Sequence, residues 1–328
     1  MNGETAHTSV LSKEICDILL PGPNGIFVDA TFGAGGHARR FLEQGASFVY
    51  AIDQDETVRP FVDALATDYP QKLSFHLGNF SHLTTLLPET AHGKVSGILF
   101  DLGVSSMQLD QSERGFSFMR DGPLDMRMSG KGPSAQEAIN QLSEQELADI
   151  FYYYGEERRS RQIAAAICLQ RRTTPFTTTL QLAQAVSTVL GGRTGKIHPA
   201  TRVFQGLRIY VNQELDILAS AFTEAAALLI PGGKLAVITF HSLEDRLVKR
   251  LFKSLSLEHD QFHILTKKPV APTEAETRVN PRSRSAKLRI LQKKLAVDLV
   301  HDDALRTPFD NAQDASHSHH ACNESCHV

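Results

Sequence analysis

The residues Phe27 to His37 read Phe-Val-Asp-Ala-Thr-Phe-Gly-Ala-Gly-Gly-His, an apolar run that passes through an aspartate into glycines. Gly33, Gly35 and Gly36 let a turn of backbone approach a ligand closely, and a helix starting directly behind them presents unsatisfied N–H groups. Asp53 stands 20 residues after Gly33, the spacing at which an acid reaches a ribose hydroxyl in dinucleotide-binding folds. The pattern Gly33-x-Gly35-x-x-Ala38 alone also fits a turn used only for close helix–strand packing. Asp29 and Asp101, each at the end of an apolar run, narrow the choice. Ligands of parallel sheets sit at the carboxyl ends of the strands, so Asp29, Asp53 and Asp101 are expected to converge on one crevice. Such a ring repels a pyrophosphate. It suits S-adenosylmethionine, which carries a sulfonium, an amino group and a ribose diol.

These acids need strands to hold them. Apolar runs at Ile26–Ala30, Phe48–Ile52, Leu73–Leu77 and Gly97–Phe100 alternate with helical periods at Val10–Leu20, from His37 to Gly45, and at Val58–Asp68. That alternation predicts an α/β fold with a mostly parallel, Rossmann-like sheet. From Gln108 to Pro199 it stops. Helical periods at Ala135–Asn140, Glu144–Tyr154, Arg158–Arg171 and Leu180–Val189 predict a helical insertion. A long helix over Arg202–Ile230, stopped by Pro231-Gly232-Gly233, returns the chain to the sheet. A buried strand, Leu235–Phe240, a helix at Leu243–Leu255 and a strand pair, Phe262–Lys267 with Lys287–Leu291 across a polar loop, complete it. The expected units are therefore residues 1–107 and 200–297 for the sheet domain, 108–199 for the insertion and 298–328 for a flexible tail.

The 328 residues carry 34 Lys+Arg against 37 Asp+Glu, a net charge of −3 that tells against nucleic acid at first sight. The sign belongs to the tail. Residues 298–328 hold six acids and one arginine, leaving 33 basic and 31 acidic groups in residues 1–297. Basic residues gather at Arg158, Arg159, Arg161, Arg171 and Arg172, at Arg246, Lys249, Arg250 and Lys253, and in Arg278–Lys294, where seven Lys/Arg meet no acid within the segment. Phosphate contact is the expectation for such clusters. Cys16, Cys168, Cys322 and Cys326 form no disulfide framework, and no signal peptide or membrane span is read, so a reduced cytoplasmic protein is expected. The tail concentrates His317, His319, His320, Cys322, Cys326 and His327, but the lack of large apolar residues among them argues for incidental ligands, and no metal site is assigned.

Several strings resemble the bacterial RsmH (MraW) methyltransferases: His7–Leu11, Asp29–His37, Leu99–Ser106, Gln108–Asp110, Glu113–Phe118, Asp121–Met128, Tyr154–Arg158, His198–Arg202, Phe240–Arg246 and Asn280–Ser285. They run in order over about residues 7–290. The resemblance implies a class I S-adenosylmethionine-dependent methyltransferase acting on N4 of a cytidine in the decoding region of 16S rRNA, within the small ribosomal subunit. It implies cofactor contacts at Gly35, Gly36, His37, Asp53, Phe80, Asp101 and Gln108.

In-line transfer to an exocyclic amine depends on positioning, and an acceptor for the amine's protons after the fourth strand would serve it. Asp101 takes that role here; Asp125 and His241 are further candidates for substrate contact or proton acceptance. The chain has Asp101-Leu102-Gly103-Val104 with no aromatic, so Phe116 or Phe118 is expected to stack on the base. Two rival readings stand beside this one: an NAD-dependent oxidoreductase using the same glycine loop, and a non-catalytic RNA-binding assembly protein.

Overall fold

The computed structural model describes residues 9–20, 24–192, 198–258 and 261–295. The tail and its histidines and cysteines lie outside them. Seven strands form one sheet: β1 (Ile26–Asp29), β2 (Phe48–Asp53), β3 (Leu73–Leu77), β4 (Val95–Asp101), β5 (Leu229–Thr239), β6 (Phe262–Ile264) and β7 (Lys287–Lys293). Their order is β3-β2-β1-β4-β5-β7-β6. The first five pair in parallel and β7 runs antiparallel between β5 and β6. This is the mostly parallel class I sheet expected from the sequence. The chain reverses its direction of winding between β1 and β4, and the crevice outside that point is where such sheets take their ligands.

Each face of the sheet is covered by an apolar layer. Val28, Ile98, Phe100 and Val237 pack toward Phe222 and Phe252 on one side, while Phe27, Val49, Leu99 and Ile238 pack toward Ile15 and Phe41 on the other. A third core lies in the insertion, built from residues such as Met126, Ile139, Phe151, Ile163 and Leu182. Val203, Phe204 and Leu207 from the helix that leads back to the sheet belong to it too. Among the described residues, no helix is long and apolar enough to cross a membrane.

The structure corrects three readings of the local sequence. The helix expected over Arg202–Ile230 is two helices, Thr201–Asn212 and Leu218–Leu228. They are separated where Gln213 turns left-handed, at φ 51°. Pro231-Gly232-Gly233 does not stop a helix but lies inside β5, where its pairing with β4 shifts register between Val95 and Gly97. The Glu144–Tyr154 helix is α-helical only to Asp149; Ile150–Tyr154 widens into a π turn.

That π turn meets helix Thr201–Asn212 backbone to backbone. A Cβ at Gly155 would fall 2.5 Å from the Arg202 carbonyl oxygen and 2.6 Å from that of Phe151. Neither backbone atom can move aside as a flexible side chain would. Gly155→Ala is therefore expected to destabilise the protein by about 1–3 kcal/mol through overpacking, read as a lower midpoint in urea unfolding.

Candidate active site

The glycine loop is held from behind and from the side by two carboxylates. Asp29, with no exposed surface, accepts the Ala38 N–H through Oδ2 at 3.2 Å and the Thr31 N–H through Oδ1 at 3.3 Å. It thereby ties the end of β1 to helix Gly36–Glu43. Asp53 accepts the Gly33 N–H at 2.8 Å and the Asp55 N–H at 2.9 Å. Burial pushes both carboxyls up to about 6. Between them the backbone turns through left-handed glycines, Gly33 at φ 53° and Gly35 at φ 76°. Side chains rarely adopt that conformation, which is why glycine is needed there.

The loop opens onto a cleft of about 330 Å3 at the carboxyl ends of β1, β2 and β4. Gly33, Gly36, His37, Asp53, Phe80, Asp101 and Gln108 line it; Gly35 is the residue before the helix, its turn set against Phe32. Asp29 does not line it. The expected ring of three carboxylates is corrected to two, Asp53 and Asp101, with Asp29 acting on the loop from inside.

His37 is buried, and its Nε2 faces Asp101 Oδ2 at 3.5 Å. Burial alone would lower its pKa, but the Asp101 and Asp29 carboxylates outweigh that and raise it. Among the described residues, His37 Nε2 and Asp101 Oδ1 are buried without a hydrogen-bond partner. Buried polar atoms are seldom left so, and two on one cleft wall mark a place built for a polar ligand. Phe80 stands edge-on to Phe100, with ring centroids 5.3 Å apart.

Gln108 is committed elsewhere than to a ligand. Its Oε1 accepts the Ser105 N–H at 3.1 Å in a capping box, and its Nε2 donates to Asp55 Oδ2 at 2.8 Å. Asp55, which sequence reasoning missed, also takes Arg114 Nη1 at 2.7 Å. Arg114 Nη2 in turn donates to the carbonyls of Arg127 and Met128, bringing Met128 to the cleft wall.

The far wall was not foreseen either. The left-handed turn at Gln213 brings Glu214 back onto Arg208, with Nε and Nη2 forked on its carboxylate at 2.9 Å each. Glu244 lies 3.7 Å from Arg208 Nη2 and caps the β5 end by accepting the Phe240 N–H at 2.7 Å. His241 sits behind it, Nε2 at 3.0 Å from Glu244 Oε1, outside the cleft lining.

Glu214, His241 and Glu244 bring potential metal ligands within 4.8 Å of one another. Two features disqualify them. Arg208 already supplies the cation, and His241 Nδ1 accepts the Glu244 N–H at 3.3 Å, which puts the ring proton on Nε2 and leaves no lone pair for an ion.

The remaining expected residues lie off the cleft. Asp125 is clamped by Arg127, through Nε at 2.9 Å and Nη2 at 2.7 Å. Phe116 is buried in the insertion core, and Phe118 packs on His198 and Phe204, so neither ring faces the cleft. Phe240 does. The basic run Arg278–Lys294 is also less free than its sequence suggests. Arg289 and Lys287 pair with Asp245, Arg282 with Asp110 and Arg278 with Glu274, while Lys293 donates to backbone carbonyls. Arg171 likewise spends its guanidinium on the carbonyls of Ile139 and Leu142.

A profile of the MraW methylase family matches residues 4–294. The chain belongs to the MraW methylase family. It is similar to "Ribosomal RNA small subunit methyltransferase H" of Rhodopseudomonas palustris (strain BisA53), 48% identical over 303 residues that cover 88% of this chain and 91% of that one. The protein of the same name from Brucella canis is 48% identical over 302 residues, 87% of each chain. Among solved structures, the chain matches an rRNA methylase from Streptococcus thermophilus at a TM-score of 0.37 and 12% identity, covering 86% and 93% of the two chains. A chain from Streptococcus mutans in complex with SAH matches at 0.40 and 12%, covering 83% and 89%. S-adenosylmethionine, the cofactor read from the glycine loop and its acids, is the cofactor of this methylase family.

The raised pKa of Asp53 gives the methylase a pH signature. A ribose diol held at Asp53, as the sequence reading expects, would donate to the ionised carboxylate, and ionisation is lost as pH falls through about 6. Affinity for S-adenosylmethionine, measured by calorimetry, is expected to be flat above about pH 7 and to fall by up to about tenfold per unit well below 6. Asp53→Asn should bind weakly throughout and show a shallower acid limb, the part that remains coming from Asp29, which ionises over the same range.

Proposed function

We propose that this methylase transfers a methyl group from S-adenosylmethionine to N4 of a cytidine in the decoding region of 16S rRNA, within the small ribosomal subunit and in the cytoplasm. The observation that carries the reading is the pair of unsatisfied atoms, Asp101 Oδ1 and His37 Nε2, at the cleft end of β4. The names of the relatives from Rhodopseudomonas and Brucella support small-subunit ribosomal RNA as the substrate, and the cytidine N4 follows from the family resemblance read in the sequence.

When bound, S-adenosylmethionine supplies an electrophilic methyl group on its sulfonium. Gly35, Gly36 and His37 shape the loop that receives it, Asp53 takes the ribose hydroxyls and Phe80 borders the adenine. Gln108 supports that side through Asp55 rather than by direct contact. Asp101 Oδ1 would accept a hydrogen bond from one amine N–H, which favours a lone pair directed away from the ring, and would take the single proton the nitrogen sheds as it is methylated. His37 steadies the Asp101 carboxylate. Asp125 and His241 act at one remove: Asp125 orders the loop around Arg127, and His241 orients Glu244 on the far wall.

The rival classes fare worse. In an NAD-dependent oxidoreductase the loop amides would face a pyrophosphate, yet the Gly33 N–H is already spent on Asp53. A non-catalytic assembly protein has no use for a cleft with two buried unsatisfied atoms.

Incubation with labelled S-adenosylmethionine and small subunits lacking the modification, followed by nucleoside analysis, is expected to put the label in N4-methylcytidine. Asp101→Ala should cut kcat by about 100-fold or more. Wild-type turnover in that variant would remove Asp101 from the chemistry, and label in another nucleoside would overturn the substrate.

A further inference from the structure

The cleft does not end at the far wall. Beyond Leu109 and Arg282, which border both spaces, lies a second hollow of about 350 Å3, lined further by Asp110, Ser112, Ser117, Met119 and Arg120. Its two cations come from distant parts of the chain: Arg120 from the start of the insertion, Arg282 from the 3-10 turn Pro281–Ser285 before β7. Arg120 is exposed, and its guanidinium makes no ion pair or hydrogen bond among the described residues. Arg282 is steered by Asp110, with Nη2 at 2.6 Å from Oδ1 and Nη1 at 3.4 Å from Oδ2. Among the described residues that line it, two guanidinium groups against one carboxylate leave a positive excess, the sign that suits a phosphodiester.

The other walls fit the rest of a nucleotide. Ser117 Oγ accepts the Met119 N–H at 3.2 Å and keeps its own proton to donate. Met119, 83% exposed, is the most exposed large apolar side chain among the described residues and adds nothing to any core. A polarisable thioether beside Leu109 offers a face for a base. A simple carboxylate or inorganic anion would use the arginines and leave that apolar wall idle.

We propose that this hollow holds the nucleotide adjoining the methylated one, its phosphate between Arg120 and Arg282 and its base against Met119 and Leu109. The inference rests on the RNA substrate proposed above. A base modified within the cleft is out of its stack, so its neighbour is unstacked as well and needs a surface of its own.

The test is steady-state methylation of unmodified small subunits over a range of salt. Arg120→Ala is expected to raise KM about tenfold, the loss of one charge-assisted hydrogen bond, and to lower the slope of log KM against log salt by roughly 0.7–1. The change should fall on KM rather than kcat, with affinity for S-adenosylmethionine unaltered, and Arg120→Lys should restore the salt slope. Arg282→Ala should likewise raise KM and lower the salt slope, also when combined with Asp110→Asn, which removes the stranded acid as a cause. Met119→Ala should raise KM without touching the slope. If wild-type protein forms N4-methylcytidine while the arginine variants keep its KM and slope, the hollow is no nucleotide site and the proposal falls alone. If wild-type protein methylates no cytidine in the subunit, the proposed function fails and takes the hollow with it.

Discussion

The cleft depends on two carboxylates, Asp29 buried and Asp53 half-buried, gripping the backbone between β1 and the helix after it. Asp29 holds the Thr31 and Ala38 amides and Asp53 holds that of Gly33. Each such charge-assisted bond contributes about 1.5–3 kcal/mol, and each carboxylate also bears a desolvation cost that raises its pKa. The balance fixes a turn that left-handed glycines would otherwise leave free to move. Once the turn is fixed, Asp101 at the end of the adjoining β4 faces His37 at 3.5 Å, and the Asp101 N–H is itself held by Thr31 Oγ1 at 2.7 Å.

The insertion is fastened to that frame by a relay of polar contacts. Arg114 joins Asp55, next to Asp53, to the carbonyls of Arg127 and Met128. Asn212 holds the same loop from the opposite side, accepting the Met128 N–H and donating to the Met126 carbonyl at 2.8 Å each. Met126 takes a left-handed φ of 62°, an uncommon conformation for a side-chain-bearing residue, and these contacts hold it there. The glycine-loop side of the cleft and the insertion are therefore joined by one continuous set of polar contacts.

Much of this was legible in the sequence because it is local. Apolar runs ending in Asp29, Asp53 and Asp101 gave the strands and the crevice, but not the order of the strands in the sheet. What escaped was set by proximity in space. Glu214 meets Arg208 only because the helix breaks at Gln213, and no change of period announces that break. Arg289 and Lys287 read as unpaired because Asp245, their partner, is more than 40 residues away on the helix that crosses β7. Phe116 and Phe118 looked available for stacking because their position near Asp101 in the chain says nothing about the separate core they fill. The glycines at Gly232 and Gly233 signalled irregular backbone correctly, but a register shift within a strand and a helix stop share that signal.

Helix Thr201–Asn212 has a consequence of its own. Its early residues, Val203, Phe204 and Leu207, are keyed into the insertion core, and its last turns carry Arg208 and Asn212 to the cleft. It works as an axle between two wheels. One residue added or removed between Leu207 and Asn212 would rotate everything beyond by about 100°, swinging Asn212 off the Met126 and Met128 backbone while leaving the helix itself intact. The length of this segment is thus as much a part of the cleft as any side chain in it, and the insertion can change in sequence far more readily than in phase.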